Sequence, residues 1–208
     1  MIERISTAVD RNEAVLRGVI ASAPELSHTA ADQTFFRFSL AADRLSGHAD
    51  VLNVIAPAIS LAGVPTEEGA PVEIAGSLRS RNVHEDGRYR LILTVFAGAV
   101  RTPVETEHCN RVQLSGTVCK QPVHRVTPLG REVCDVMLAV RRRYGRADFL
   151  PLIAWGRNAA IAGQLQIGDR ILCDGRFQSR EYVKTGEDGD EVRTAYEVSL
   201  SSLRKWSE

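Results

Sequence analysis

Four residues near the C-terminal end of the chain alternate along one stretch and combine positive charge with an aromatic ring. They are Arg176, Gln178, Arg180 and Tyr182. Because successive side chains of a β-strand point to opposite faces, residues two apart share a face. Two guanidiniums, an amide and a phenol ring are poor core material. They suit a polyanion that also presents flat rings, since arginine attracts phosphate and aromatic rings stack on bases.

The stretch that carries these residues, Gly168 to Tyr182, has a weaker copy between Gly69 and Asn82. The two copies belong to a longer repeat. The segment from Asn12 to Gly18 matches the segment from Asn110 to Gly116 at an offset of 98, and one added residue makes the offset 99 further along. A match of this length predicts two homologous domains in tandem. We expect domain 1 over residues 1–100, a polar linker over 101–109 and domain 2 over 110–208.

Charge is distributed unequally between the two repeats, although the formal net charge of the 208-residue chain is zero. Residues 12–100 hold 7 Lys and Arg against 10 Asp and Glu, a net of −3, whereas residues 108–206 hold 16 against 11, a net of +5. Such asymmetry between halves points to a polyanionic partner for the basic half.

Each repeat shows the same order of predicted elements: three strands, a short helix and a two-stranded hairpin. This order predicts an all-β chain made of two tandem five-stranded OB-fold barrels, each with a short helix between strands 3 and 4. In the second repeat we predict strands over Val112–Cys119, Glu132–Arg142, Asp148–Trp155, Arg170–Tyr182 and Arg193–Leu203, a helix over Arg157–Leu165, and loops over Gln121–Gly130 and Thr185–Glu191. In the first repeat the shorter hairpin turn falls at Glu85 to Gly87.

The strand from Asp148 to Trp155 separates into two faces by its period of two. Leu150, Leu152 and Ala154 share the side that is also aliphatic in the first repeat, so this side is predicted to be the barrel interior. Phe149 and Trp155 then lie on the outer side. The glycines that recur inside strands in both repeats predict bulges or tight bends of the barrels.

The second repeat resembles the bacterial single-stranded-DNA-binding protein family, including its primosomal replication protein branch. The segments that carry the resemblance are NRVQLSGTVCKQP, FLPLIAWGRNA, GDRILCDGRFQSREY and TAYEVSL, which together span most of residues 110–203. The first repeat is similar more weakly, over residues 12–97. The resemblance implies that DNA lies across an OB barrel and that bases stack on aromatic residues of the sheet and its loops.

Positions carried over from the resemblance, together with the face assignments, give ten candidate nucleic-acid-binding residues. The stacking candidates are Tyr144, Phe149, Trp155 and Tyr182. The polar and basic candidates are Arg142, Arg143, Arg157, Arg176, Arg180 and Gln178.

The sequence departs from the family pattern in two places. The first repeat has Val51, Pro57 and Val83 where the second has Phe149, Trp155 and Tyr182, so it lacks a stacking platform at these positions. The chain ends at Lys205-Trp-Ser-Glu208, and we therefore expect no recruitment of other replication proteins through an acidic tail.

Other classes of protein find little support. The five histidines form no ligand pairs, and no P-loop, GxSxG or HExxH motif occurs, so we expect no enzyme, no cofactor and no metal. The four cysteines, Cys109, Cys119, Cys134 and Cys173, have no CxxC spacing and are expected to be reduced thiols. No apolar run has membrane-spanning length and the first residues form no secretory signal, which favours the cytoplasm.

The sequence thus predicts single-stranded DNA binding without strong sequence preference, in DNA replication, repair or recombination. The resemblance further implies a homodimer, which would give an assembly of four barrels. Two alternatives stay open: a protein-interaction module of a replication or conjugation complex, and an RNA-binding OB protein, because fold does not fix function.

Overall fold

A computed structural model of the chain describes residues 9–44, 46–85, 88–105, 107–186 and 189–206. The first repeat contains β1 (Asn12–Ala30), β2 (Gln33–Asp43), β3 (Ala49–Pro57), α1 (Ala58–Leu61), β4 (Pro71–Glu85) and β5 (Arg88–Arg101). The second contains β6 (Asn110–Val118), β7 (Val123–Val126), β8 (Glu132–Arg141), a 3-10 turn (Arg143–Gly145), β9 (Ala147–Trp155), α2 (Arg157–Ala162), β10 (Arg170–Gly186) and β11 (Gly189–Lys205).

Both repeats close into five-stranded barrels. In the first, the pairings run β1–β2–β3–β5–β4 and return to β1, and in the second they run β6–β8–β9–β11–β10 and return to β6. In each barrel one pairing is parallel, β3 with β5 and β9 with β11, and the short helix follows the third barrel strand. The predicted all-β OB architecture is confirmed.

Two predicted loops of the second repeat contain strand. The segment predicted as a loop over Gln121–Gly130 includes β7, in which His124 and Arg125 pair with Cys134 and Val133 of β8. The proline- and glycine-rich flanks concealed this four-residue strand. The loop predicted over Thr185–Glu191 is shorter than expected, because β10 runs to Gly186 and β11 starts at Gly189. Residues 187–188 of that loop, and residues 86–87 of the first repeat's turn, lie outside the described residues.

The helix of the second repeat also ends earlier than predicted. It stops at Ala162 rather than at Leu165, and the Gly163 N–H caps it by donating to the Ala159 carbonyl at 2.9 Å. The four cysteines are free thiols, as predicted. Burial raises the pKa of Cys173 to about 12, since a thiolate is poorly solvated inside the barrel.

The interior follows the predicted alternation. Leu150, Leu152 and Ala154 are 0%, 2% and 0% exposed. At Gly76 and Gly175 the hairpin strands shift register, and a Cβ would lie 2.2 Å from the Phe96 carbonyl oxygen and 2.5 Å from that of Ser199. No real Cβ tolerates such contacts, so glycine is required at the same bulge of both barrels.

The two barrels are joined edge to edge by antiparallel pairing of β1 with β6. Ala14 pairs with Val112 at the centre of the five paired positions, and these two residues occupy the same position in the repeat. The barrels are therefore related by a pseudo-twofold axis through this pair. Asn12 brackets the backbone of Leu78 with two hydrogen bonds of 2.8 Å, and Asn110 does the same to Phe177 at 2.7 and 2.9 Å.

A buried aspartate links the first barrel to β10 of the second. Asp50, which is fully buried, accepts a hydrogen bond from Arg44 Nε at 2.8 Å and another from the Ser179 backbone N–H at 2.8 Å. The Val51 N–H donates in turn to Ser179 Oγ at 3.1 Å. We call this set the first clasp. The carboxylate raises the pKa of Arg44 through their hydrogen bond.

The second clasp is the counterpart of the first and links the second barrel to β4. Asp148, also fully buried, accepts from Arg142 Nε at 2.6 Å and from the Ser80 N–H at 2.7 Å. The Phe149 N–H donates to Ser80 Oγ at 2.7 Å. Two reciprocal buried contacts thus hold each hairpin arm against the other barrel. Among the described residues, no helix has the length and apolarity needed to cross a membrane.

Candidate nucleic-acid interface

The outer face of the second barrel carries an open groove of about 1010 Å³. Its lining comes from β7 and the turn that follows it, from the end of β9, from the β10–β11 hairpin and from the segment that leads into β3 of the first repeat. Five arginines line it: Arg44, Arg125, Arg131, Arg176 and Arg180. Two glutamates, Glu181 and Glu197, also line it, so positive charge is in excess and favours an anionic chain.

Trp155 is the exposed aromatic residue of this groove, which Tyr196 also lines as a half-buried ring. It is the last residue of β9, lies opposite Val133 of β8, and keeps 39% of its surface exposed. Gly156 follows with a φ of 51°, which turns the chain into α2 immediately after the indole. The sharp turn leaves the ring at a strand end, where a base can reach its face.

The four alternating residues of β10 share one face, but they differ in exposure. Arg176 and Arg180 are exposed in the groove, whereas Gln178 between them is 5% exposed. The Gln178 Oε1 accepts hydrogen bonds from Arg176 Nε at 3.3 Å and Nη2 at 3.1 Å. The Arg180 guanidinium lies 5.7 Å from the ring centroid of Tyr182, which is 38% exposed. Gln178 therefore orients Arg176 from beneath instead of standing free in the groove.

Phe149 does not share the groove with Trp155. It lies six residues earlier in β9, which corresponds to about 20 Å along a strand, and it adjoins Ser80 through the second clasp. Its side chain is 48% exposed. The sequence placed both rings on the outer side correctly, but only Trp155 lines the groove, whereas the Phe149 backbone adjoins β4 of the first repeat.

A second basic cleft, of about 570 Å³, contains the candidates of the segment that connects β8 to β9. Tyr144 is 97% exposed and has a φ of 62°, and Arg143 and Arg146 lie beside it. Arg142 lines the same cleft, but its guanidinium is bound to Asp148 in the second clasp. Asp148 also binds Arg79 of β4 at 3.1 Å. Structural pairing thus occupies Arg142.

Arg157 is the first residue of α2, is exposed, and follows Trp155 by two positions. The candidate residues therefore form two groups on either side of the junction between the barrels. Trp155, Arg176, Arg180 and, through Arg180, Tyr182 belong to the groove, whereas Tyr144, Arg142 and Arg143 belong to the second cleft.

Three arginines of the groove were not among the sequence candidates. Arg125 and Arg131 flank the β7–β8 turn, and Arg44 comes from the first repeat. Arg125 forms an ion pair with Asp135 at 2.9 Å, and this hydrogen bond raises its pKa. Arg125 and Arg131 lie on either side of the Pro128–Gly130 turn, and this spacing could have indicated from the sequence that the two residues lie close together. The contribution of Arg44 depends on the association of the barrels.

Comparison with known proteins agrees with this geometry. Residues 109–205 match the family model described as the single-strand binding protein family. The matched range coincides with the second repeat. Over 90 residues the chain is 38% identical to a single-stranded DNA-binding protein of Bacillus cereus, covering 40% of this chain and 52% of that protein. It is 39% identical over 80 residues to single-stranded DNA-binding protein A of Bacillus subtilis, covering 35% and 46%.

Both repeats have a counterpart among solved structures. The crystal structure of the single-stranded DNA binding protein from Thermus aquaticus superposes with a TM-score of 0.77 at 24% identity, covering 97% of this chain and 95% of that one. This likeness extends the family's fold to the whole chain, including the first repeat. The chain spans about half the length of the curated single-strand binding relatives that it matches.

Proposed function

We propose that the chain binds single-stranded DNA across the outer face of the second barrel, without strong overall sequence preference, in DNA replication, repair or recombination. One observation carries the proposal: the exposed ring of Trp155 lies in a groove that five arginines line. This is the combination of a stacking surface with a positive channel that single strands require. The relatives' names support the same ligand.

Two kinds of interaction contribute to the affinity for single-stranded DNA. Stacking of a base on Trp155 contributes about 1–3 kcal/mol and is largely indifferent to sequence, because every base has a π-face. The arginines neutralise phosphates and release counterions, which makes binding weaken as salt rises. Tyr144, with its exposed ring between Arg143 and Arg146, extends the path into the second cleft. Phe149 offers a further stacking site beside the first barrel.

Tryptophan fluorescence tests the proposal directly, provided that the two tryptophans are separated. Trp206 lies near Arg170, with the guanidinium 5.6 Å from its ring, so the Trp206→Phe variant leaves Trp155 as the reporter. We expect oligo-dT to quench this fluorescence and salt to reverse the quenching. Trp155→Ala, followed by fluorescence anisotropy of labelled oligo-dT, is expected to lower affinity about 5- to 100-fold.

The alternatives predict different results in the same titrations. A protein-interaction module would respond to no strand, and an RNA-binding protein would bind oligo-U more tightly than oligo-dT. Equal or tighter binding of duplex DNA would also contradict the proposal. Pro57→Ala is the matched control, because Pro57 occupies the position of Trp155 in the first repeat and should leave affinity unchanged.

We further propose that two chains associate into an assembly of four barrels. The support is the family resemblance. Within one chain the β1–β6 pairing already joins two barrels, so the homodimer must use other surfaces. Sedimentation equilibrium at micromolar concentration should give twice the chain mass of 22.8 kDa. A single species of the chain mass would contradict a homodimer without affecting the proposal of DNA binding.

A further inference from the structure

The floor of the groove contains a buried carboxylate, which is unexpected in a site for a polyanion. Glu197 of β11 is 8% exposed, and it pairs across the hairpin with Gln178, which is 5% exposed. Gln178 Nε2 donates to Glu197 Oε1 at 2.8 Å. The amide oxygen of Gln178 is engaged by Arg176. The three side chains therefore form a connected row, whose members have fixed orientations.

One oxygen of this carboxylate is available to a ligand. Arg180 Nε lies 3.9 Å from Oε1, and among the described residues no hydrogen bond reaches Oε2. Every buried side-chain nitrogen and oxygen in the described part of the chain has a hydrogen-bond partner. Glu197 Oε2 must therefore face the solvent of the groove. It is a hydrogen-bond acceptor that its neighbours hold in place, and it faces the space that a bound DNA strand would occupy.

The chemistry of a carboxylate limits what can occupy this position. An ionised carboxylate only accepts hydrogen bonds, so it repels a phosphate and favours a donor. Among the pyrimidines, cytosine presents an exocyclic amino group at C4, and carboxylates accept from this group in protein–DNA complexes. Thymine presents a carbonyl oxygen at the same place, and its N3–H donor lies between two carbonyl oxygens, both of which a carboxylate repels. The ring nitrogen and carbonyl of cytosine accept hydrogen bonds, which suits the neighbouring guanidiniums of Arg176 and Arg180.

We propose that Glu197, held by Gln178, reads one base of the bound strand and makes this site prefer cytosine to thymine. The inference rests on the proposed binding of single-stranded DNA in this groove and adds a local base preference to it. The remaining contacts stay indifferent to sequence, so the preference is confined to one nucleotide position.

The base that Glu197 reads is different from the base that stacks on Trp155. In the parallel pairing of β9 with β11, Ile153 lies opposite Ser199. Trp155 and Glu197 are therefore four residues out of step on neighbouring strands, about 13 Å along the strand direction. Loss of the Trp155 ring should weaken binding of every sequence and leave the preference between bases unchanged.

A purely electrostatic role of Glu197 predicts a change of affinity that is the same for every base. The carboxylate lies near Arg44, Arg125 and Arg180, and its charge acts on the guanidiniums of Arg44 and Arg125. If it served only to balance these arginines, its removal would raise affinity for all strands equally. The ratio of affinities for two bases separates this role from base reading, whereas a single affinity does not.

The experiment compares oligo-dT with an oligonucleotide of 5-methyl-deoxycytidine of equal length at neutral pH. The two bases share the 5-methyl group and differ on one edge: 5-methylcytosine has an amino group at C4 and an acceptor at N3, whereas thymine has a carbonyl at C4 and a donor at N3. We expect the cytosine strand to bind about tenfold more tightly, the usual effect of one hydrogen bond to a charged group. Equal affinities for the wild-type chain would overturn the proposal.

Two variants test whether Glu197 causes the preference for cytosine over thymine. Glu197→Gln keeps the shape and an acceptor for Gln178, and it should bring the ratio of affinities close to one. Glu181→Gln removes the same charge from an exposed residue that lines the same groove, and it should raise both affinities while preserving the ratio. A ratio that persists in Glu197→Gln would overturn the assignment. Melting followed by circular dichroism checks that both variants fold.

Failure of this inference is distinguishable from failure of the proposed function. If the chain binds both strands equally, single-stranded DNA binding stands and base reading by Glu197 falls. If neither strand binds, both proposals fall together. If the Trp155→Ala variant weakens both strands and keeps the tenfold ratio, stacking and base reading are separate, as the geometry requires.

Discussion

The two barrels share their framework and differ on their outer surfaces. Both have the bracketing asparagine, the glycine at the hairpin bulge and the buried aspartate of a clasp. The outer face of the second barrel has Trp155 and Arg176 where the first has Pro57 and Ser77. Residues common to both repeats therefore maintain the barrels and their association, and the residues proposed to bind DNA are among those that differ.

Aromatic content alone does not account for this difference. In the first barrel His28 stacks on Phe35, with ring centroids 4.7 Å apart and an interplanar angle of 8°. Phe35 also contacts Phe96 at 5.8 Å, and it is only 8% exposed. Phe35 is therefore packed among its neighbours, whereas Trp155 and Tyr182 keep more than a third of their surface exposed. The first barrel also has an exposed ring, Tyr89, but it lies in the hairpin beside His84 and not at the position of Trp155. The rings of the two barrels thus differ in position as well as in exposure.

The largest loss of stability is expected from substitutions in the two clasps, which are common to both barrels. Asp50→Ala and Asp148→Ala each remove a buried carboxylate that accepts hydrogen bonds from an arginine and a backbone N–H, and Asp148→Ala also removes the partner of Arg79. We expect each to lower the free energy of unfolding by about 3 kcal/mol, measured by urea denaturation. Glu25→Ala is the control, because its ion pair with Arg37 is exposed and should contribute less than about 0.5 kcal/mol. Strongly unequal losses at Asp50 and Asp148 would contradict the equivalence of the clasps.

The next prediction concerns Arg176, a position at which the two barrels differ. Arg176→Ser gives the second barrel the residue of the first, and it should weaken oligo-dT binding by about 1 kcal/mol. It should also reduce the slope of log affinity against log salt by about 0.7, because one phosphate contact is lost. Arg204→Ser removes the same charge from an exposed site outside the groove and serves as control. If the slope of log affinity against log salt is unchanged in Arg176→Ser, then Arg176 contacts no phosphate.

The smallest effect concerns a carboxylate present in the first barrel alone. Glu73 accepts hydrogen bonds from Arg17 and Arg101, which lower its pKa from the ordinary value of 4.5; its counterpart in the second barrel is Leu172. Because the folded state binds the proton less tightly, this stabilisation is present above pH 4.5 and disappears as pH falls through the folded pKa. We expect Glu73→Gln to cost under about 1 kcal/mol at neutral pH, since glutamine keeps one acceptor.

Denaturation of Glu73→Gln and wild type at a series of pH values measures this difference. The two stability curves should converge below pH 4.5. A constant difference down to pH 3 would mean that the ion pairs of Glu73 contribute no pH dependence. Leu172→Ala is not a useful control because it changes packing, so the comparison is made within the first barrel.

Several features of the fold could be predicted from the sequence because they depend on local pattern. The repeat, the order of strands and the inward side of β9 follow from alternation and from the offset between matching residues. The glycine bulges were predicted for the same reason. The strand β7 was missed because four residues between prolines carry too little pattern, and its pairing with β8 comes from the barrel.

The candidate site could be predicted only in part. Alternation correctly put Arg176 and Arg180 on one face with Trp155 exposed nearby. It could not foresee that Gln178 would be buried beneath them. Burial of a polar side chain depends on its cross-strand neighbour, here Glu197, and residues nineteen positions apart meet only when the hairpin forms.

A tandem repeat of OB barrels, a basic second half and the identity of its exposed rings could all be inferred from the amino-acid sequence. These properties follow from residue type and spacing along the chain. The folded structure brings Arg44 of the first repeat into the groove of the second, and it joins Ser80 of the first repeat to Asp148 and to the Phe149 N–H of the second. Each of these depends on the way the two barrels associate through β1 and β6, which local pattern does not encode.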